Sequence, residues 1–186
     1  MKIFFDTEFT GLHKNTTIIS IGMIAENGKK FYAESTDYDG KQCDDWIQNN
    51  VLAYTILQGN EDMAKALGED ADATVVIGCT DSILHELKAW LSQFDEVQFV
   101  SDVCHYDFVL LIDIFGNAFD LPENVSASCH DINQDIAKHY GISERKAFDK
   151  SREEIVSELC GETIYGIKHN SLYDAEVIKA IYEAVI

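Results

Sequence analysis

Apolar runs of strand length alternate with amphipathic segments of helix length along this 186-residue chain, a pattern typical of an α/β fold. The first run starts at Lys2 and leads into two carboxylates. Successive side chains of a strand point to opposite faces, so Phe4, Asp6 and Glu8 share one face. The other face carries Ile3, Phe5 and Thr7. Because both faces are apolar, we expect this strand to be buried between helices in the interior of a sheet.

Two further strands follow the first one directly. A β-branched run at 16–25, an Asn27-Gly28 turn and a run at 30–34 predict three consecutive antiparallel strands. The later pattern predicts strands at 74–79 and 97–101, helices at 82–94, 105–115, 131–140 and from 170 or 171 to the C-terminus, a mostly helical segment at 143–160 and a loop at 161–168. No repeat or linker interrupts the chain, so we predict a single α/β domain over 1–186 with a mixed sheet.

The segment at 35–73 is strongly acidic and fits short helices at 42–57 and 61–67. We expect it outside the sheet, at the rim of the site, with its charges forming a solvated face.

The net charge of −19 limits the classes of partner. It argues against binding to membranes or to long duplex DNA through a basic surface, because phosphate contacts need lysine and arginine. It leaves room for a nucleic acid that is held at its end by metal ions. It also predicts weak, metal-dependent binding and short oligonucleotides as substrates.

Cysteine usage indicates a reducing compartment. The chain has five cysteines and no Cys-x-x-Cys pair, which predicts reduced thiols in a cytoplasmic protein. The apolar start is broken at Asp6, so it is not a signal peptide, and no stretch is long enough to span a membrane.

Asp6 and Glu8 at the end of a buried strand repel each other and are costly to bury. A divalent cation would resolve the conflict, since hard cations bind carboxylate oxygens. The alternative is that the two residues simply mark the solvated end of the strand.

Two predicted helices also begin with an inward carboxylate. Asp107 precedes apolar residues by three, four and seven positions, and Asp174 precedes them by four, seven and eleven. Each alone is more typical of a helix cap. Together with the strand carboxylates they predict a shared metal site.

These residues resemble the DEDDh branch of the 3′–5′ exonucleases. The first motif matches Phe5-Asp6-Thr7-Glu8-Phe9-Thr10-Gly11-Leu12, the second matches His105-Tyr106-Asp107, and the third, His-x-x-x-x-Asp, matches His169 and Asp174. The resemblance covers residues 2 to about 182. Within the family, the short chain and the Asp-Thr-Glu-Phe opening are most similar to small, stand-alone exoribonucleases of bacteria and phages.

The resemblance implies an RNase H-like mixed sheet with helices on both faces. It implies that Asp6, Glu8, Asp107 and Asp174 hold two ions, Mg²⁺ or Mn²⁺, roughly 3.5–4 Å apart. His169 would accept the proton of the attacking water as a neutral imidazole. The expected activity is metal-dependent release of nucleoside 5′-monophosphates from 3′ ends of single-stranded RNA or DNA, with RNA slightly favoured.

Several assignments stay open. Asp102 ends a predicted strand and competes with Asp107 for the second motif, and Asp131 either supports the site or caps its helix. Thr7, Phe9, Leu12 and Tyr106 are expected to line the substrate end. Core packing is the competing role for the two aromatic residues.

Two other functions fit part of the pattern. An acidic protein can mimic nucleic acid and block a basic site on a protein partner, which explains the charge but not the ordered carboxylates and His169. An endonuclease acting on a hybrid duplex would use the same fold. A homodimer is compatible with the sequence, although no residue pattern indicates one.

Overall fold

The structure, a computed structural model, describes residues 1–161 and 163–186, and its six strands form one sheet. In chain order the strands are β1 Lys2–Phe9, β2 Ile18–Ala25, β3 Lys30–Ser35, β4 Ala73–Gly78, β5 Val97–Ser101 and β6 Val125–Asp131. Their order across the sheet is β4-β3-β2-β1-β5-β6. The strands β1, β2 and β3 are antiparallel, whereas β4 pairs in parallel with β3, β5 with β1, and β6 with β5. The predicted mixed sheet is confirmed.

The helices of the described residues are α1 Asp45–Asn50, α2 Glu61–Glu69, α3 Thr80–Leu91, α4 His105–Phe115, α5 Asn133–Tyr140, α6 Glu144–Phe148, α7 Arg152–Cys160 and α8 Ser171–Val185. Short 3₁₀ turns lie at Gly40–Gln42, Leu52–Tyr54, Ile56–Gln58 and Ala118–Asp120. Within the described part of the chain, no helix has the length and apolar character that a membrane span requires. All five cysteines are free thiols, as the sequence predicted.

The strand β6 at Val125–Asp131 was not predicted, and the helix expected from 131 begins at Asn133 instead. An edge strand carries polar, partly exposed side chains and so lacks an apolar run, which explains the omission. The loop predicted at 161–168 includes Glu162, which lies outside the described residues. The single domain over 1–186 stays a prediction.

Helices cover both faces of the sheet. Ile3 and Phe5 of β1 pack into a core with α3 and α4, whereas Phe4 packs into a second core with α5, α7 and α8. The alternation predicted for β1 is therefore confirmed. It directs the side chains of Asp6 and Glu8 to the face that α8 covers.

The helix α8 lies unusually close to β2. A Cβ atom on Gly22 would be 2.3 Å from the backbone nitrogen of Leu172 and 2.4 Å from its Cα. Beside this contact the hydroxyl groups of Ser20 and Ser171 are hydrogen-bonded at 3.0 Å. Gly22 is also the register partner of Asp6 on β1. The missing side chain thus lets the first turn of α8 reach the strand that carries the first motif.

The acidic segment at 35–73 is fastened to the sheet by Glu34, which is fully buried on β3. Its carboxylate accepts the backbone N–H groups of Ile56 and Leu57 at 2.6 and 2.8 Å. It also accepts the hydroxyl group of Tyr32 at 2.6 Å. Such bonds to a carboxylate are strong. They hold the turns after α1 against the sheet, and α1 lies at the rim of the cleft described below.

Candidate active site

A cleft of about 640 Å³ opens beside the carboxyl ends of β1 and β5. Carboxyl ends of neighbouring parallel strands meet at one edge of a sheet, where α/β proteins commonly bind ligands. The cleft is lined by all nine residues that the sequence suggested for catalysis or substrate binding: Asp6, Thr7, Glu8, Phe9, Leu12, Tyr106, Asp107, His169 and Asp174. The fold therefore brings together residues that are up to 168 positions apart in the chain.

Asp6 and Glu8 form the strand half of the site. Burial raises the pKa of Asp6 well above its ordinary value, and the negative charges of Asp107 and Asp174 raise it further. Burial also raises the pKa of Glu8, and the same two carboxylates add to the shift. The register between β1 and β2 shifts between Glu8 and Phe9, a bulge of the kind that often redirects side chains near active sites.

Asp107 lies buried in the first turn of α4. Its Oδ1 accepts the backbone N–H of Thr7 at 3.0 Å and the Thr7 hydroxyl at 2.6 Å. Burial raises the pKa of Asp107 to about 6, although the hydrogen bonds from Thr7 oppose the shift. Thr7 is itself buried, and it positions this carboxylate. Its contact with substrate stays a prediction.

Asp174 and His169 are joined at the start of α8. The backbone N–H of His169 donates to Asp174 Oδ2 at 2.8 Å. The imidazole Nδ1 lies 3.9 Å from Glu8 Oε1, across the cleft floor. Burial raises the pKa of Asp174 to about 7. Burial, followed by the positive charge of Lys168, lowers the pKa of His169. The imidazole is therefore neutral at neutral pH, as a general base requires.

Two non-glycine residues in the described part of the chain have positive φ angles, and both line the cleft. They are His169, at +66°, and Val103, at +55°. A β-branched residue rarely adopts this conformation. Backbone strain of this kind concentrates at functional sites, where the surrounding structure holds it in place.

The donor set fits divalent metal ions. Glu8, His169 and Asp174 each offer a ligand atom, and these atoms lie within 4.8 Å of one another. Asp6 and Asp107 add carboxylates whose charges disfavour one another. Carboxylate oxygens are the ligands that Mg²⁺ and Mn²⁺ prefer. A bound cation would reverse the unfavourable charge balance that raises these pKa values.

Asp102 also borders the cleft, but an arginine engages its carboxylate. The Nε–H group of Arg152 donates a hydrogen bond to Asp102 Oδ2 at 2.5 Å, and a terminal N–H group donates one to Oδ1 at 2.8 Å. The amide of Asn133 donates to the same Oδ1 at 2.8 Å. The other N–H groups of Arg152 bind the carbonyl oxygens of Ala147 and Lys150 and the side chain of Asn133. This pairing favours Asp107 over Asp102 as the second-motif ligand.

Asp131 lies just before the start of α5 and not in the cleft. Its Oδ1 accepts the backbone N–H of Asn133, the first residue of α5, at 2.9 Å, and also the side-chain amide of Asn133 at 2.9 Å. It is absent from the lining of the cleft.

Replacing Arg152 by methionine should destabilise the protein by about 2–4 kcal/mol, because Asp102 would remain largely buried without its partner. Urea unfolding measures the loss. The Arg152→Met/Asp102→Leu double variant should recover much of the stability, since it buries no unpaired charge. A loss below about 1 kcal/mol in the single variant would show that the pair contributes little.

The aromatic residues of the first two motifs lie together. The rings of Phe9 and Tyr106 are stacked, with centroids 5.4 Å apart. Phe9 packs against the core, while Tyr106 and Leu12 are exposed, Leu12 by 78%. Core packing therefore accounts for part of the role of Phe9. The predicted contacts of all three with substrate remain predictions.

The walls of the cleft contain functional candidates that the sequence interpretation missed. Trp46 of α1 contacts His169 edge-on, with ring centroids 4.9 Å apart. Phe148, Lys150 and Lys168 also line the cleft, together with Arg152. The available signal was a concentration of cations at 145–152 in a strongly acidic chain.

Comparison with known proteins matches the chain to one protein family. The model of the 3′-5′ exoribonuclease Rv2179c-like domain matches residues 1–186. Two proteins of Mycobacterium tuberculosis, 3′-5′ exoribonuclease MT2234.1 of strain CDC 1551 / Oshkosh and 3′-5′ exoribonuclease Rv2179c of strain H37Rv, are similar to this chain. Each is 29% identical over 136 residues, which are 72% of this chain and 73% of the relative.

Solved structures show the same fold. The nuclease domain of 3′hExo, a DEDDh family member, bound to rAMP, superposes with a TM-score of 0.65 at 12% identity, covering 97% of this chain and 88% of that one. A structure of 3′-end specific recognition of histone mRNA stem-loop by 3′-exonuclease superposes with a TM-score of 0.64 at 12% identity. The match covers 97% of this chain and 61% of that one. The predicted RNase H-like fold is confirmed.

Proposed function

Because this chain belongs to the family of Rv2179c-like 3′-5′ exoribonuclease domains, we propose that it hydrolyses single-stranded RNA from the 3′ end and releases nucleoside 5′-monophosphates. The family match itself supplies the activity of a 3′–5′ exonuclease on RNA. The proposal adds the strandedness, the product, the residues and the metal ions.

One observation carries the assignment of residues. Four carboxylates from a strand and two helix starts meet in one cleft, and burial raises the pKa of each of them. Repulsion within the group adds to the shift of Asp6 and Glu8. Perturbed carboxylates that converge in a cleft are typical of functional sites. An arrangement this unfavourable for an empty protein is expected where cations bind.

Asp6, Glu8, Asp107 and Asp174 would hold the two ions, Mg²⁺ or Mn²⁺. When bound, such ions activate a water molecule and stabilise negative charge on the leaving oxygen. His169 accepts a proton from the attacking water. The oxygen of that water bonds to phosphorus, the bond from phosphorus to the upstream 3′ oxygen breaks, and this oxygen takes up a proton from solvent. The 5′-monophosphate then leaves the cleft.

The neutral imidazole is suited to this transfer for two reasons. Its Nδ1 lies 3.9 Å from Glu8 Oε1, so the ring that accepts the proton lies beside a carboxylate that would hold the ions. Its backbone N–H is bound to Asp174, which fixes the residue at the edge of the carboxylate cluster. The side chain is only half-buried and reaches the cleft from the loop before α8.

The proposal favours RNA as the substrate, and the family match supports this choice. RNA and DNA differ by the 2′-hydroxyl, and DNA as a second substrate stays a prediction, as do the homodimer and the preference for short oligonucleotides. The five free cysteines support a cytoplasmic location. The nucleic-acid mimic explains the charge of −19 but gives no reason for carboxylates that point into a cleft.

The proposal is tested with 5′-labelled single-stranded RNA and DNA of one sequence, in Mg²⁺, Mn²⁺ or EDTA. A metal-dependent ladder that shortens from the 3′ end is expected, with RNA degraded faster. His169→Ala should lower kcat by about 10²- to 10³-fold, because the general base is lost. The exposed His85 on α3 provides the control, and His85→Ala should leave the rate unchanged. Internal cleavage products would point to an endonuclease, and no cleavage in any metal would favour the mimic.

A further inference from the structure

Positive charge is concentrated in one short segment of this acidic chain. The chain has 14 lysines and arginines against 33 acidic residues. Four of the 14 fall within residues 145–152, namely Arg145, Lys146, Lys150 and Arg152. This segment comprises most of α6 and the start of α7. The segment contains one acidic residue, Asp149, so positive charge is in excess there, and an excess of positive charge attracts a polyanion.

The segment forms one wall of the catalytic cleft. Phe148, Lys150 and Arg152 line the same cleft as the four carboxylates, together with Lys168. The guanidinium of Arg152 uses all its N–H groups on protein oxygens, so it shapes the wall and has no donor left for a ligand. The ion pairs among the described residues do not include Arg145, Lys146 or Lys150. These three cations can therefore bind phosphate without breaking an existing pair.

Lys150 is held in place without losing its donors. Its ammonium nitrogen lies 4.5 Å from the centroid of the Tyr140 ring. A cation over an aromatic face is attracted to the ring but keeps N–H groups for a second partner. Lys168, in contrast, lies 3.7 Å from a carboxylate oxygen of Glu153. Lys150 is thus the better phosphate ligand of the two lysines that line the cleft.

Phe148 presents an aromatic ring among these charges. Its side chain is 57% exposed, although it borders the cleft. An aromatic side chain surrounded by cations is the combination with which proteins bind single strands, since bases stack on the ring and phosphates bind the cations. The other phenylalanine and tyrosine residues that border the cleft, Phe9 and Tyr106, are stacked on each other.

We propose that residues 145–150 bind the RNA strand upstream of the scissile bond, with the base of an upstream nucleotide stacked on Phe148 and a phosphate bound to Lys150. The inference rests on the proposed exonuclease activity and adds the path of the strand. The 3′ end lies over the carboxylates, and the strand leaves past α6, where Arg145 and Lys146 meet the next phosphates. Because the basic wall is short, only a few nucleotides gain from it.

The test compares a dinucleotide with an RNA of about eight nucleotides, a length typical of single-strand sites. Phe148→Ala should lower kcat/KM on the longer RNA about 10-fold and on the dinucleotide less than about 2-fold. Lys150→Gln should lower kcat/KM on the longer RNA about 3-fold. It should also reduce the slope of log kcat/KM against log salt by about 0.7.

The chain offers matched controls at exposed positions away from the cleft. Phe119 is 97% exposed after α4, and Lys65 is exposed on α2. Phe119→Ala and Lys65→Gln should leave kcat/KM on both substrates unchanged. Unfolding midpoints of all four variants should match the wild type, since surface substitutions rarely change stability.

Binding separates this proposal from the activity on which it rests. Fluorescence anisotropy with the longer RNA, on a His169→Ala background that retains the carboxylates, should show the same losses for Phe148→Ala and Lys150→Gln. If the wild type cleaves RNA but neither substitution affects the longer substrate, the strand path is wrong and the activity stands. If the variants lower kcat/KM on the dinucleotide as much as on the longer RNA, the segment acts on the catalytic centre and the path is again wrong. If RNA binds through Phe148 but is never cleaved, the path stands and the activity is wrong.

Discussion

Replacing Asp6 by asparagine should abolish turnover and, at the same time, stabilise the metal-free protein. Asparagine keeps the shape of the side chain but cannot carry the negative charge that a divalent ion needs, so kcat should fall about 10⁴-fold. In the absence of metal, the same charge is buried beside Asp107 and Asp174 and is repelled by both. Since a shift of one pKa unit corresponds to about 1.4 kcal/mol, removing the repulsion should raise the free energy of unfolding by about 1 kcal/mol.

Thermal unfolding with Mg²⁺, Mn²⁺ or EDTA measures both effects. Metal should raise the Tm of the wild type through binding to the folded state and leave that of Asp6→Asn nearly unchanged. Asp113 lies on α4 with Asp107 but is exposed, so Asp113→Asn provides the matched control and should behave as wild type. A metal-free Asp6→Asn protein less stable than wild type at neutral pH would contradict the repulsion.

The raised pKa values of Asp107 and Asp174 predict how the stability of the metal-free protein depends on pH. The folded-state pKa values of Asp107 and Asp174 are raised, to about 6 and about 7, from an unfolded value near 4. The folded protein therefore binds these protons more tightly, and the metal-free form should lose stability as pH rises from about 4 to about 7. Bound metal should remove this loss.

Replacing Gly22 by alanine should lower the free energy of unfolding by about 3 kcal/mol and lower the activity about 10²-fold. The new Cβ would lie 2.3–2.4 Å from backbone atoms of Leu172 and Ser171, which cannot yield as a side chain would. The first turn of α8 would have to move away from β2, and this turn carries Asp174. A displacement of about 1 Å at a catalytic group typically costs that much rate.

Urea unfolding and the rate on RNA test this expectation together. Gly68 in α2 provides the control, since a Cβ there meets no atom within 4 Å and alanine is the better helix former. Gly68→Ala should leave the activity unchanged and stabilise the protein by about 0.5–1 kcal/mol. An unfolding midpoint for Gly22→Ala equal to that of the wild type would show that α8 is not held by this contact.

The sequence predicted what local spacing encodes. The strand alternation placed Asp6 and Glu8 on one face, and the helix spacing placed Asp107 and Asp174 toward the core. Each of these facts depends on residues within about three turns of the carboxylate. The pairing of β1 with β5 and the packing of α8 against the sheet then brought the three motifs into one cleft, as the family resemblance implied.

Contacts between distant segments escaped prediction for a physical reason. The pair of Asp102 and Arg152 joins residues 50 positions apart, and no periodicity relates them. Trp46 and Phe148 are exposed aromatic residues whose position beside the cleft is set by loops and short helices. The polar edge strand β6 was missed because one of its sides faces solvent and so carries no apolar signal.

The anchoring of the acidic segment by Glu34 has a consequence for how the cleft can diversify. The carboxylate binds this segment through the backbone N–H groups of Ile56 and Leu57, and every residue type except proline has such a group. The side chains of these turns can therefore be exchanged while the attachment is kept. The same segment carries α1, which borders the cleft with the exposed Trp46, so selection for a different RNA could act there without disturbing the carboxylates.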